Sequence, residues 1–251
     1  MSTQEQRRLI VISGAGLSAD SGLETFRAKD GTWANHSIDQ VCNIMTWKAN
    51  FTLVHGFYNK RREALKGVEP NAMHRLLARW QTELGAVLIT QNIDDLLERA
   101  GAERVLHLHG FLPQMRCEAC GQITDIGYRA WDPEQDRCGC GCRKGMKPNV
   151  VFFGEQAPAY VDMARALRGL SANDVFVVIG TDGAVVPVGS IAATLPCRKV
   201  LNTLGPVDPA DWRPGMVASA LFNRTLYKPA VQAVDELDAI VRRWLSEAAP
   251  N

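Results

Sequence analysis

The chain has 251 residues, 46% of them hydrophobic, and a formal net charge of +1. That length suits one large domain, or one domain carrying a small module, and the near-neutral balance excludes a general electrostatic footprint for nucleic acid or for an anionic membrane. No apolar run approaches the roughly 18 residues of a membrane span, and five of the 7 cysteines fall between Cys117 and Cys142, so the expectation is a cytoplasmic chain that binds a metal in a reducing compartment.

The first predicted strand, Leu9–Ile12, runs into Ser13-Gly14-Ala15-Gly16-Leu17-Ser18-Ala19. Gly14 and Gly16 permit a tight turn that brings bare backbone N–H groups against an anion, and Ala19 completes a Gly-x-Gly-x-x-Ala pattern for a dinucleotide pyrophosphate. A hydride-transferring dehydrogenase would continue into a helix and a second strand ending in an acidic ribose reader. A polar loop through Arg27 and Gly31 follows instead, which disfavours that class.

Further strands are predicted at Ala86–Thr90, Val105–Leu108, Val175–Ile179 and Lys199–Leu201, with helices at Asn71–Leu84, Asp94–Ala100, Ala159–Leu170 and Val231–Ser246. This alternation predicts an α/β fold, a Rossmann-like parallel sheet with helices on both faces and ligands at the carboxyl ends of its strands. Gly31–Lys66 and Leu112–Pro148 break the alternation and are expected to form a small zinc-binding and helical module. The predicted division is therefore 1–30, 86–111 and 149–251 for the dinucleotide-binding domain, with 31–85 as the helical part and 112–148 as the zinc ribbon part of the smaller one.

Two polar groups stand at strand ends, Gln91-Asn92-Ile93-Asp94 and His107-Leu108-His109-Gly110. Taken singly, Asn92 and Asp94 read as helix caps and either histidine as a structural residue. Together, at converging strand ends, an amide, a carboxylate and an imidazole suit the holding of a ribose and the removal of a hydroxyl proton. Cys117-x-x-Cys120 is half of a zinc knuckle, and the second half must come from Cys138, Cys140 and Cys142. With Cys142 as one of them, Cys138 is the better second partner, since Cys140 lies one residue from Cys142 and pinches the chelate loop. Four thiolates make a closed, structural site. In Phe57-Tyr58-Asn59-Lys60-Arg61-Arg62, Tyr58 and Arg61 share a helix face and can grip a carboxylate, although such a run alone reads as a solvated basic face.

In order and spacing, the Gly14–Arg27 loop, Gln91-Asn92-Ile93-Asp94, His109-Gly110, the cysteine segment, Val150-Val151-Phe152-Phe153-Gly154-Glu155, Gly180-Thr181 and Asn202 resemble the sirtuin (Sir2) family of NAD-dependent protein-lysine deacylases. The likeness is greatest to bacterial and mitochondrial class III members. It implies that an acyl-lysine oxygen attacks the nicotinamide ribose, that nicotinamide leaves, and that His109 acts as general base while Asn92 and Asp94 order the ribose, water and nicotinamide amide. The products are free lysine, nicotinamide and O-acyl-ADP-ribose. The implied NAD contacts are Gly14, Ala15, Gly16, Ser18, Phe26, Arg27, Trp33, Gln91, Asn92, Ile93, Asp94, Gly180, Thr181, Asp182, Asn202, Thr203, Leu204 and Ala230.

The Tyr58 and Arg61 pair resembles the family's determinant for succinyl, malonyl or glutaryl lysine, with acetyl-lysine as a second substrate. Val151, Phe153, Gly154 and Glu155 would offer the substrate peptide an edge for strand addition. The partners implied are acylated proteins or peptides met by a monomer. Leu97, Asp182 and Leu204 depart from the family pattern, which normally has histidine, serine and an acidic residue there, and the last two predict weaker NAD binding. The competing functions are an NAD or ADP-ribose sensor, and an NAD hydrolase or ADP-ribosyltransferase.

Overall fold

The structure, a computed structural model, describes residues 7–24, 32–33, 36–142 and 145–247, with Thr32 and Trp33 described by their backbone alone. Its elements begin with strand β1 (Leu9–Ser13), the single turn α1 (Gly16–Ala19), the short pair β2 (Thr32–Trp33) and β3 (His36–Ser37), and α2 (Ile38–Val41). Then come α3 (Phe51–Lys66), α4 (Ala72–Leu84), β4 (Val87–Thr90), α5 (Leu96–Arg99) and β5 (Val105–His107). The ribbon strands β6 (Gly110–Cys117), β7 (Ile123–Asp125) and β8 (Met146–Val150) lead to α6 (Ala159–Leu167), β9 (Val175–Ile179), α7 (Val188–Thr194), β10 (Arg198–Thr203), β11 (Arg224–Tyr227) and α8 (Val234–Ser246).

Six strands form one sheet in the order β11-β10-β9-β1-β4-β5. Every pair in it is parallel, with Ile12 level with Ile89 on one side and Val178 on the other. The chain builds outward from β1 through β4 and β5, then returns to build the other way from β9, so the order reverses between β1 and β9. Ligands of such sheets bind in the crevice at that reversal.

Side chains alternate across β1 and β9 and divide the core in two. Leu9, Val11, Val175, Val177 and Ile179 pack with α4 and α8 through Met73, Leu76, Leu77, Leu237, Val241 and Trp244. Ile10, Ile12, Phe176 and Val178 pack on the opposite face with Met163 of α6 and Val188 and Ala192 of α7. Helix α4 therefore joins the core of the parallel sheet, whereas the sequence reading puts it with the small module. Its stripe of Met73, Leu76, Leu77 and Trp80 is fully buried there, and Asn71 caps it by accepting from the N–H groups of Met73 and His74. Leu97 lies in the same core, so an apolar side chain suits that position.

A third cluster joins α3 to the ribbon through Val54, Phe57, Tyr58, Leu65, Leu112, Val150 and Phe152, and a fourth surrounds the cysteines with Met115, Ile126, Trp131 and Met146. Arg62 is wholly buried between them. Its Nε donates to the Leu112 carbonyl at 2.8 Å and its Nη1 to Asn59 Oδ1 at 2.9 Å. Burial pushes its pKa down to about 10, yet the guanidinium stays charged at neutral pH. Strand β6, absent from the sequence reading, starts at Gly110 with φ at +88°, where a Cβ would run into the Asn149 carbonyl.

The turns after β1 and β9 interlock. Gly14 N–H donates to the Ile179 carbonyl and Gly16 N–H to the Gly180 carbonyl, each at 2.9 Å. Gly180 has φ at +63°, and a Cβ on it would lie 2.5 Å from the Gly16 carbonyl carbon. Gly180→Ala combines a left-handed backbone with a backbone clash and is expected to cost about 2–5 kcal/mol of unfolding free energy. Chemical denaturation measures this, and a loss below about 1 kcal/mol would mean that the two turns are not held in contact.

Candidate active site

A cavity of about 960 Å³ opens above the interlocked turns, between the sheet and the α3–ribbon module. Its walls include Gly14, Ala15, Gly16, Ser18, Gln91, Asn92, Ile93, Asp94, His109, Gly180, Thr181, Asp182, Thr203 and Leu204. Arg61, Val151, Phe153, Gly154 and Glu155 line it as well. Two expected cofactor contacts do not line it. Asn202 is buried, and its amide donates to the carbonyls of Leu226 at 3.1 Å and Lys228 at 2.9 Å, tying β10 to β11. Ala230 is buried in the sheet core, and Pro229 takes the place at the wall. Phe26 and Arg27 lie outside the described residues, and the side chain of Trp33 is not described.

Four polar side chains from three segments meet behind the glycine turn. Asn71 N–H donates to Nδ1 of His74 at 3.2 Å, which leaves the proton of the neutral ring on Nε2, and Nε2 faces Ser18 Oγ at 3.3 Å. Burial holds that ring neutral, with its pKa lowered to about 4. Asn92 Nδ2 also donates to Ser18 Oγ, at 3.0 Å, so the serine hydroxyl gives its own proton to Asp94 Oδ2 at 2.9 Å. Asp94 Oδ1 accepts the Leu96 N–H at 3.2 Å. Burial raises the Asp94 carboxyl to about 6 against those two hydrogen bonds, which puts a proton-exchanging group near neutral pH. Gln91 ties the same loop to the β9 turn, donating through Nε2 to Thr181 Oγ1 at 3.0 Å.

His107 and His109 have different surroundings. His107 is bonded through Nδ1 to the Asn92 carbonyl at 3.0 Å and through Nε2 to Glu98 at 2.8 Å. Burial works to lower its pKa, but the Glu98 carboxylate and the Asn92 carbonyl carry it upward, so this ring supports the Asn92 loop as a structural residue. His109 Nδ1 donates to the Gln91 carbonyl at 3.0 Å, and its own carbonyl accepts the Val151 N–H at 2.9 Å. Burial lowers its pKa against the pull of the Gln91 carbonyl. A neutral imidazole whose Nε2 is an acceptor, here 3.0 Å from the Tyr160 hydroxyl, suits a general base.

At the other end, Arg61 reaches the cavity with its guanidinium 5.3 Å from the Phe57 ring and 3.9 Å from Glu24 Oε2. Tyr58 does not line the cavity. It is fully buried and stacked on Phe152 with ring centroids 5.7 Å apart, and burial pushes its pKa well up. The expected two-residue grip on a carboxylate is thus reduced to Arg61, with Cys42 at the wall in front of the phenol. Nothing in the spacing of α3 distinguishes a phenol facing the cavity from one turned behind Phe152.

The segment after β8 is held internally. Lys147 is buried, and its Nζ donates to Glu155 Oε2 at 2.9 Å and to the Val150 carbonyl at 2.6 Å. Glu155 Oε2 also accepts the Phe152 N–H at 2.5 Å, and Phe153 N–H donates to the Cys42 carbonyl at 2.9 Å. Three N–H groups of Val151–Phe153 are therefore already committed within the chain, which narrows the edge expected for strand addition. Asp182 Oδ1 accepts the Ala184 N–H at 3.0 Å, and Leu204 stands 64% exposed at the rim, where it supplies no acceptor.

Among the described residues, Cys117, Cys138, Cys140 and Cys142 bring their sulfurs within 4.8 Å of one another. Cys117 Sγ lies 3.3 Å from that of Cys142 and 3.7 Å from that of Cys140, and Cys120 Sγ lies 3.5 Å from that of Cys138. Four thiolates around zinc stand about 3.8 Å apart, so these thiols fit that ion. Cys140 adds a fifth sulfur beside the four expected from sequence, and Gly141, with φ at +77°, turns the chain between Cys140 and Cys142. Tyr160, Cys42 and Glu24 also line the cavity and are not among the site residues expected from sequence, since no motif marks them.

The Sir2 family model matches residues 14–187. An NAD-dependent protein deacylase of Helicobacter hepaticus is 42% identical over 92% of this chain and 96% of its own. Another of that name, from Campylobacter jejuni strain RM1221, is 44% identical over 96% of this chain and 98% of its own. A solved Sir2 homologue in complex with NAD superposes with a TM-score of 0.78 at 31% identity, over 96% of this chain and 91% of that one. The crevice at the sheet reversal, the cysteine ribbon beside it and these likenesses agree that the chain belongs to the Sir2 family.

Proposed function

We propose that the chain is an NAD-dependent protein-lysine deacylase that removes succinyl, malonyl or glutaryl groups, and acetyl as a second substrate, giving nicotinamide and O-acyl-ADP-ribose. The observation that carries this reading is one cavity lined by His109 and Asp94 at the sheet and by the Arg61 cation at α3. NAD would lie on the glycine turns, whose crowded backbones leave no room for a Cβ on Gly14 or Gly16. As co-substrate, NAD supplies the ribose carbon from which nicotinamide leaves. Asn92 and Asp94, fixed by Ser18, orient the ribose and the nicotinamide amide, and the Asp94 carboxylate stabilises positive charge developing at that carbon. His109 Nε2 takes the ribose hydroxyl proton. Arg61 pairs with the acyl carboxylate in a site shielded from bulk water.

Four of the five clustered thiolates would hold one zinc, which closes the ribbon without an open coordination position. In this reading residues 1–30, 72–111 and 149–251 form the NAD-binding domain, and 31–71 with 112–148 the smaller one. Among the described residues no helix is long and apolar enough to cross a membrane. We place the protein in the cytoplasm, acting as a monomer on acylated proteins or peptides.

Incubation with NAD and succinyl-, malonyl- or acetyl-lysine peptides should yield O-acyl-ADP-ribose by mass spectrometry, and His109→Ala should lower kcat by about 10²–10⁴-fold. Nicotinamide release that needs no peptide would favour NAD hydrolysis, and NAD binding without turnover would favour a sensor. Arg61→Met should lower kcat/KM for desuccinylation by about 10–100-fold while deacetylation changes less than about threefold. Equal losses would make Arg61 a structural residue. Leu204→Glu should bind NAD about tenfold more tightly in a calorimetric titration, through a charge-assisted bond to the adenosine ribose, and an unchanged affinity would remove Leu204 from the cofactor site.

A further inference from the structure

Tyr160 opens α6, next to the cavity rather than within any recognisable motif. Its ring packs against the core on the α6 face of the sheet, so the backbone and ring are anchored by apolar contact. The hydroxyl reaches Nε2 of His109 at 3.0 Å, with the two ring centroids 6.1 Å apart and the planes tilted by 46°. On the far side of the imidazole, the Gln91 carbonyl can only accept, so Nδ1 carries the proton and Nε2 of the neutral ring is an acceptor. The Tyr160 hydroxyl is then the donor. A phenol has both a proton and lone pairs, and turning its O–H bond lets it accept from the same nitrogen once that nitrogen is protonated.

We propose that Tyr160 is a positioning residue for the general base, keeping the His109 ring fixed in both protonation states. It donates to Nε2 while the ring is neutral, gives way to the substrate hydroxyl, and accepts from Nε2–H after the ring has taken the proton. The proposal rests on His109 acting as the base of the reaction. The single lone pair of Nε2 allows only one donor at a time, so Tyr160 and the ribose hydroxyl bind in turn.

A hydrogen bond to a charged group is stronger than one between neutral groups, so the phenol supports the imidazolium more than the imidazole. Removing the hydroxyl should therefore lower the pKa of His109. Other titratable groups share the cavity, namely Asp20, Glu24, His36, Cys42, Lys60, Arg61, Asp94, Glu155 and Asp182. His107, on β5, is turned to Glu98 and the Asn92 carbonyl. Burial lowers the His109 pKa against the pull of the Gln91 carbonyl, and the Tyr160 hydroxyl is the side chain bonded to its Nε2.

The test is an NMR titration of the imidazole of His109 in the full chain without substrates, comparing wild type with Tyr160→Phe, alongside the pH dependence of kcat. The variant should titrate about half to one pH unit lower, with the acid limb of kcat moving by the same amount. Its kcat should fall about three- to tenfold while KM for the peptide is unchanged. An identical His109 titration in the two proteins overturns the proposal, as does a ring protonated on Nε2 in the ¹⁵N spectrum of the wild type. That spectrum decides the matter even if the variant does not fold. A shifted titration in a protein without deacylase activity would leave Tyr160 in its place beside His109 and defeat the functional reading instead.

Discussion

The site depends on the contact of two backbone turns at residues that carry no side chain, Gly16 and Gly180. Gly16 and Gly180 approach so closely that a Cβ on Gly16 would lie 2.7 Å from the Gly180 Cα. That contact joins the end of β1 to the end of β9 at the point where strand order reverses, and the polar groups of the Asn92 loop are referred to one or the other. Ser18 follows the first turn, Thr181 follows the second, and Gln91 bridges from β4 to Thr181. The glycines thus serve chain packing as well as anion approach, and the requirement for glycine stands even before any ligand is considered.

Behind that contact the polar groups are nearly saturated by one another, and their donors run in one direction. The Asn71 amide fixes the His74 tautomer, His74 and Asn92 donate to Ser18, and Ser18 donates to Asp94. A buried network of this kind is rigid because turning one member leaves another without a partner. It also leaves Asp94 as the member whose charge is least secure, with its carboxyl raised to about 6 by burial. His109 stands outside the network, on a strand end held by the Gln91 carbonyl on its ring and the Val151 amide on its backbone.

Much of this is legible in sequence. The apolar runs of β1, β4, β5, β9 and β10 alternate with helical stripes, and buried parallel strands leave just such runs. The site residues at strand ends are legible too, because the ends converge. Strand β6 is not, since its start depends on the left-handed Gly110 and its pairing on β8, both long-range facts. Helix α4 reads as part of the wrong module because periodicity reports that a face is buried and not what buries it. The place of Cys140 among the clustered sulfurs and the contact of Tyr160 with His109 escape a sequence reading for a related reason. A left-handed Gly141 and a phenol at a helix start acquire meaning only from their neighbours.

The acyl end of the cavity follows from the cost of burying a cation. Arg61 is largely shielded, with 18% of its side chain exposed, and burial lowers its pKa. A guanidinium so placed favours a carboxylate beside it, and Glu24 offers one at 3.9 Å while remaining 72% exposed itself. A pair that long, with one partner in water, contributes about 0–1 kcal/mol. In the proposed function, an acyl carboxylate inside the cavity would displace Glu24 at little cost and gain a shorter bond in a drier place. Because Glu24 follows the glycine turn in the chain, the Arg61 guanidinium ties α3 to the segment after β1, and the two ends of the cavity share one ion pair.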